Sequence, residues 1–183
     1  MKIIHLKFFF LVFFILIFSL NYSYAAKKSI FDSKKNIFAE LLFFTKDTNG
    51  EKLNEKIKNI TKVAYKKPKP RKYRNIIQYE FNKDIISKYT IPKNIAELNE
   101  NQFKAVKEFD LNNNGIIDTI VDFNDPITAY LDINENGIHE IEYIFNGSER
   151  YIYYDENEDK KFDYAFVDYN IDGVDEEIIK IEN

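Results

Sequence analysis

Four short segments in the second half of the chain place oxygen-bearing side chains at alternate positions, with an acid further on. The first reads DLNNNGIID from Asp110, and the others begin at Asp132, Asp155 and Asp168. A hard cation such as calcium takes about six to eight oxygen ligands. Alternate Asp and Asn residues direct three side chains toward one point, and a glycine permits the tight turn that follows. The spacing therefore predicts calcium-type loops, which we name L1 to L4 in chain order.

The predicted ligands of each loop are the side chains at positions 1, 3 and 5, the carbonyl at position 7 and the acid at position 9. They are Asp110, Asn112, Asn114, the Ile116 carbonyl and Asp118 in L1; Asp132, Asn134, Asn136, the Ile138 carbonyl and Glu140 in L2; Asp155, Asn157, Asp159 and Asp163 in L3; and Asp168, Asn170, Asp172, the Val174 carbonyl and Glu176 in L4. L3 has Lys160 where the other loops have glycine. It is therefore expected to bind weakly or to be empty.

These loops resemble the calcium loop of EF-hand proteins and its relatives in dockerins, thrombospondin-type repeats and integrin-like propeller blades. The resemblance covers the loops only, from Asp110 to Glu177, and implies Ca²⁺ as the ligand. The bidentate glutamate that an EF-hand carries at its twelfth loop position is absent. The residues in its place are Val121, Tyr143, Phe166 and Ile179. Because each belongs to the strand predicted after its loop, we expect modest affinity and no helix–loop–helix unit.

A competing interpretation is that the loops are solvated Asx turns in a chain rich in asparagine. One match to the pattern would be unremarkable in this composition. Four matches in phase with predicted strands, each followed by an acid at the same offset, favour cation binding.

The elements that must position the loops repeat with them. Asp110, Asp132 and Asp155 follow one another at intervals of 22 and 23 residues. Apolar residues alternate with polar ones after each loop, as in Ile141, Tyr143 and Phe145, which is the period of a β-strand. We predict an antiparallel meander in which L1, L2 and L3 lie at one end of the sheet and L4 at the other.

The first half of the chain follows a different pattern. Helical spacing predicts helices over residues 29–46 and 51–64, and the proline-containing basic segment 66–74 is expected to be an extended linker. Strands are predicted at 74–81 and 84–90, with a short helix beginning at Asn94. The predicted class is therefore α+β, with a helical region at 26–65 and an acidic β-repeat domain at 75–183.

The first 25 residues have the pattern of a signal peptide. Lys2 and Lys7 precede an apolar run, and Ser23 and Ala25 form a small-x-small cleavage site. The run is short for a membrane span, which takes about 20 residues. We predict cleavage after Ala25 and export to the periplasm or the extracellular space, with an uncleaved anchor as the alternative.

Charge and cysteine content restrict the remaining possibilities. The chain has no cysteine, which excludes disulfides, thiolate metal sites and a lipidated cysteine. Residues 26–102 hold 18 basic and 9 acidic side chains, and residues 103–183 hold 6 basic and 21 acidic ones. Such a contrast indicates either two regions with different partners or two halves that attract each other.

Catalytic chemistry has little support in the sequence. His139 is the only histidine after the signal segment, and no nucleophile or phosphate-binding motif is present. An acid pair of the glycoside-hydrolase kind remains open among so many carboxylates, but we expect no enzyme.

The sequence therefore predicts an exported calcium-binding protein with structural calcium and a binding or scaffold role at the cell envelope or surface. Its partners would be calcium and an envelope polymer or protein. No nucleic-acid partner is expected, and membrane contact is expected only through the signal segment. The alternative is a metal-independent envelope protein that binds an anionic polymer or a partner through the basic segment 62–74.

Overall fold

A computed structural model describes residues 37–47, 50–70, 105–124 and 126–182. These residues belong to a single compact unit. The signal segment, the strands predicted within 74–90 and the helix predicted from Asn94 lie outside them.

One mixed β-sheet dominates the described residues, and its strand order is β1-β8-β7-β6-β5-β4-β3-β2. The strands are β1 (Lys62–Ala64), β2 (Val106–Phe109), β3 (Thr119–Asp122), β4 (Ile127–Leu131), β5 (Ile141–Phe145), β6 (Arg150–Tyr154), β7 (Tyr164–Asp168) and β8 (Glu177–Ile181). Strands β2 to β8 pair antiparallel with their neighbours in sequence, whereas β1 lies parallel to β8.

The predicted α+β class is wrong. The described chain is largely β, an eight-stranded mixed sheet with two short helices, α1 (residues 37–45) and α2 (Glu51–Ile57). The second predicted helix ends at Ile57, and the chain then enters the sheet as β1. The Thr61 amide donates to the Ile178 carbonyl at 2.9 Å. Helical spacing within a short segment carries no information about a strand partner more than a hundred residues away. Pairing with that partner overrides the weak local preference for helix.

Both faces of the central strands are covered, because every residue of β5 and β6 is buried. Helix α1 packs on one face, where the Phe38 ring lies 4.9 Å from Phe109 and 5.9 Å from Phe123 between centroids. The other face holds a second apolar cluster that includes Ile144 and Val167. The alternation of apolar and polar residues expected for a strand with one wet face is therefore lost in the middle of the sheet.

A buried arginine joins α1 to the sheet. The Arg150 guanidinium, on β6, donates to Glu40 of α1 and, at 2.7 Å, to Asp175. It also lies 3.3 Å from Asp168 at the end of β7. Tyr143 donates its hydroxyl to the same Glu40 carboxylate at 2.5 Å. One cation thus compensates three buried carboxylates from separate segments.

Lysines of the basic part of the chain also contact carboxylates of the acidic part. Lys62 pairs with Glu177 at 3.2 Å, and Lys56 pairs with Asp175. Lys67 pairs with Glu142, and its ammonium lies 4.1 Å from the centroid of the Tyr153 ring. These contacts agree with two halves that attract each other.

Neither helix of the described chain is long and apolar enough to cross a membrane.

Replacing Arg150 by methionine should destabilise the fold by about 3–5 kcal/mol, because three buried carboxylates would lose their cation. Urea denaturation measures the change. Lys180→Met is the matched control, since the Lys180–Glu182 pair is exposed at 3.4 Å and should contribute less than about 1 kcal/mol. Equal effects of the two variants would contradict the structural role of Arg150.

Candidate cation-binding loops

The four predicted loops all connect adjacent strands of the sheet. L1 joins β2 to β3, L2 joins β4 to β5, L3 joins β6 to β7, and L4 joins β7 to β8. Because each strand reverses direction, L1, L2 and L3 lie side by side at one end of the sheet. L4 lies at the opposite end.

The loops share one backbone form. Position 4 is left-handed in each, with φ between 59° and 64° at Asn113, Glu135, Glu158 and Ile171. Position 6 is also left-handed, with φ of 96°, 87° and 88° at Gly115, Gly137 and Gly173. Lys160 takes the same form in L3 with φ of 69°. The lysine therefore leaves the loop shape unchanged, at a cost of roughly 1–2 kcal/mol for a left-handed residue with a Cβ atom.

The first aspartate of each loop organises this backbone. One of its carboxylate oxygens accepts the amide of position 6 in every loop: Gly115 at 2.7 Å, Gly137 at 2.7 Å, Lys160 at 2.8 Å and Gly173 at 2.9 Å. A side chain with one oxygen fewer would leave an amide unpaired. Aspartate at position 1 is thus required by the loop itself as well as by any cation.

In L1, L2 and L3 the oxygens of positions 1 and 3 converge on a single amide, that of position 5. In L1 the Asn114 amide lies 3.1 Å from both Asp110 Oδ1 and Asn112 Oδ1. In L2 the Asn136 amide lies 3.0 Å from Asp132 Oδ1 and 3.1 Å from Asn134 Oδ1. In L3 the Asp159 amide lies 3.2 Å from Asp155 Oδ1 and 2.9 Å from Asn157 Oδ1. The first two predicted ligands, at positions 1 and 3, are therefore brought together in these three loops. The three predicted carboxylates of L3, on Asp155, Asp159 and Asp163, do not come within 4.8 Å of one another.

The acid at position 9 closes the base of each loop by accepting the amide of position 2. Glu140 accepts from Ile133 at 2.9 Å, and Glu176 accepts from Tyr169 at 2.7 Å. Asp118 and Asp163 do the same in L1 and L3. The amide of position 7 donates to the side-chain Oδ1 of position 5. The distances are 2.9 Å from Ile116 to Asn114, 2.8 Å from Ile138 to Asn136 and 2.8 Å from Val174 to Asp172.

Two glutamates that the sequence did not single out link neighbouring loops. Glu135 of L2 accepts from the amide nitrogens of Asn112 and Asn114 in L1, the first at 2.6 Å. Glu158 of L3 accepts in the same way from Asn134 and Asn136, at 2.8 and 2.6 Å. Holding the nitrogen fixes which way each amide faces, so the oxygens are left for their own loop. The only sequence signal for this was an acid at position 4 of two consecutive loops.

L4 differs from the other three loops in its carboxylates. Asp168, Asp172 and Glu176 bring carboxylate oxygens within 4.8 Å of one another, the only such group of three acids among the described residues. Asp168 is fully buried, however, and also faces Arg150 at 3.3 Å. That guanidinium already supplies positive charge to the loop, which lowers its attraction for a further cation.

Two acids at the base of the stacked loops are costly to ionise. Burial raises the pKa of Glu140 to about 7 and raises the pKa of Asp118 as well. Glu140 is 3% exposed, and its Oε1 has no hydrogen-bond partner. A nearby cation would remove this penalty.

A fifth segment repeats part of the loop pattern. Asp47 accepts the amide of Lys52, five residues later, at 2.9 Å, and Gly50 is left-handed at position 4 with φ of 62°. In the sequence, Asp47, Asn49 and Glu51 have the alternate spacing of the other loops. The same residues lead into a helix, because α2 begins at Glu51. Asn49 lies outside the described residues.

Replacing Lys160 by glycine should stabilise the calcium-free protein by up to about 1 kcal/mol, because glycine adopts positive φ without steric cost. Thermal or urea unfolding in chelator measures this. Gly115→Ala is the inverse control, since a Cβ there meets nothing within 4 Å and tests backbone strain alone. It should destabilise by about 1 kcal/mol. A destabilising Lys160→Gly would show that the lysine side chain holds the loop.

In the calcium-free protein, the raised pKa of Glu140 makes stability depend on pH. The folded state holds this proton more tightly than the unfolded state, whose ordinary value is 4.5. The free energy of unfolding should therefore fall as pH rises from about 4.5 to about 7, by up to about 3 kcal/mol at about 1.4 kcal/mol per unit. Urea denaturation in chelator measures it, and Glu140→Gln should remove that part of the decline. Glu182→Gln, at an exposed site, is the control and should leave the decline in unfolding free energy unchanged.

Comparison with protein-family models, with curated proteins and with solved structures yields no match for this chain.

Proposed function

We propose that the protein is an exported calcium-binding protein in which calcium is structural, with a binding or scaffold role at the cell envelope or surface. The observation that carries this proposal is the shared geometry of L1, L2 and L3. Each loop holds two side-chain oxygens on one amide. In L1 and L2, a glutamate of the next loop also fixes the asparagine amides. Oxygen ligands without histidine or sulfur suit calcium rather than a transition metal.

Calcium would act by neutralising carboxylates that the fold crowds together. A ligand that binds only the folded state stabilises it by an amount that grows with its concentration relative to Kd. The stacked loops would then remain loose where calcium is scarce and become rigid where it is abundant. Loops without a bidentate glutamate suit the affinity of extracellular modules, about 10⁻⁴–10⁻³ M.

Export rests on the signal-peptide pattern of residues 1–25. An exported chain without cysteine has no disulfides to stabilise it. Bound ions would take their place, because a bound ion, like a disulfide, restricts the ends of a loop. The envelope or cell surface is the compartment in which weak calcium loops would be filled.

The alternative partner surface is the basic segment 62–74, of which the structure describes residues 62–70. In its described part, Lys62 and Lys67 contact Glu177 and Glu142 of the same chain. An anionic polymer would have to compete with these internal acids for the two lysines.

A calcium titration of the full mature chain after chelation tests the proposal. Melting temperature should rise, and the near-UV dichroism of the tyrosines should change, at millimolar calcium or below. Asp110→Asn with Asp132→Asn should weaken binding at L1 and L2 by at least tenfold, because each loop loses a negative charge and one of the two carboxylate oxygens that organise its backbone.

Glu108→Gln with Asp122→Asn is the matched control, because it removes the same charge from strands outside the loops. Its calcium response should equal that of the unchanged protein. No response of the unchanged protein at millimolar calcium, or equal responses of the two double variants, would overturn the proposal. Asp168 is left unchanged because it also contacts the buried Arg150.

A further inference from the structure

A cavity of about 280 Å³ lies where α2 meets L2 and L3. We call it the α2 cavity. It is lined by Asn54 of α2, Glu140 of L2, Tyr154 at the end of β6, and Asp155, Glu156 and Glu158 of L3. Asn54 belongs to none of the four loops.

Two of the lining residues, Glu140 and Asn54, each have a buried oxygen without a hydrogen-bond partner, Oε1 and Oδ1 respectively. Glu140 is 3% exposed, and its other oxygen accepts the Ile133 amide at 2.9 Å. When Glu140 is ionised both free atoms are acceptors, so neither can satisfy the other. A buried acceptor without a donor costs about 1–3 kcal/mol, and more when it is charged.

Charge decides what the cavity can hold. None of the described residues that line it is basic, whereas four of them are acids, one of them the 1% exposed Asp155. Water would supply donors to the two free oxygens but would leave the repulsion among the carboxylates. A cation satisfies the acceptors and neutralises the acids together. The volume admits a cation with several waters, since a water occupies about 30 Å³ of liquid.

Helix α2 is brought to the cavity by a close backbone contact. Gly50 immediately precedes α2 with φ of 62°, and a Cβ atom there would lie 2.6 Å from the Tyr154 hydroxyl. Only glycine allows this approach without displacing Tyr154. The same approach places Asn54, one turn further along, at the cavity wall.

We propose that the α2 cavity binds a hydrated divalent cation of the calcium type, with Asn54 and Glu140 as protein ligands and water completing the shell toward the acids of L3. This site is additional to the loop interiors, and it rests on the proposed function only through Glu140, which it shares with L2. A cation here joins α2 to the stacked loops. Calcium would thereby order the N-terminal part of the fold as well as the loops.

Calcium binding by the full mature chain, counted by equilibrium dialysis and isothermal titration, tests the site. Asn54→Ala should lose one bound ion or weaken it at least tenfold, and alanine is the best helix former, so α2 should persist. Asn59→Ala, an exposed asparagine just after the same helix, is the matched control and should bind like the unchanged protein. Asn54→Asp adds a charge and should tighten the same ion.

The result separates this site from the loop sites. If Asn54→Ala and Asn54→Asp both bind the same number of ions with unchanged affinities, the cavity holds water and the inference is overturned. If Asn54→Ala loses an ion while Asp110→Asn with Asp132→Asn loses none, the cavity site stands and the loop sites fail. Loss of ions by both variants in separate steps supports both proposals.

Discussion

The buried guanidinium of Arg150 is the interaction on which the packing of this fold depends. It holds Glu40 of α1, Asp168 at the end of β7 and Asp175 of L4 around one positive charge. A charge removed from water is tolerated only when it is compensated and hydrogen-bonded. The contact therefore fixes helix α1 on one face of the sheet and orders L4 beneath it. It also supplies positive charge to the acids that face it at this end of the sheet.

The opposite end of the sheet presents the same problem without an internal cation. L1, L2 and L3 crowd first-position aspartates, closing acids and linking glutamates side by side, and within the described part of the chain no basic side chain lines the cavity between L2, L3 and α2. Glu140 shows the cost of ionising a carboxylate here. Burial raises its pKa to about 7, and its Oε1 has no hydrogen-bond partner. An external cation would perform at this end the task that Arg150 performs at the other. Both ends face one electrostatic constraint, the crowding of carboxylates where short strands reverse, and Arg150 relieves it at one of them.

Some of this arrangement was predictable because it is local. An aspartate at position 1 with glycine at position 6 specifies a turn within a single nonapeptide, and alternation after it specifies a strand. The residues that alternate from Ile141 to Phe145 do form β5. The α+β class was wrong because helical spacing up to Ala64 concealed the strand β1, whose partner β8 is remote in sequence. The burial of both faces of β5 and β6 was likewise invisible, since it depends on what packs above and below.

The sequence by itself determined the loops: their number, their spacing, their oxygen-bearing side chains and the strands that flank them, because each of these is decided within a few residues. Only the tertiary structure decided how the loops relate to one another and to the rest of the chain. Glu135 and Glu158 reach the asparagines of the preceding loop, Arg150 faces Asp168, and Asn54 meets Glu140 at one cavity. These are contacts between segments brought together by strand pairing and two-sided packing, and no local pattern encodes them.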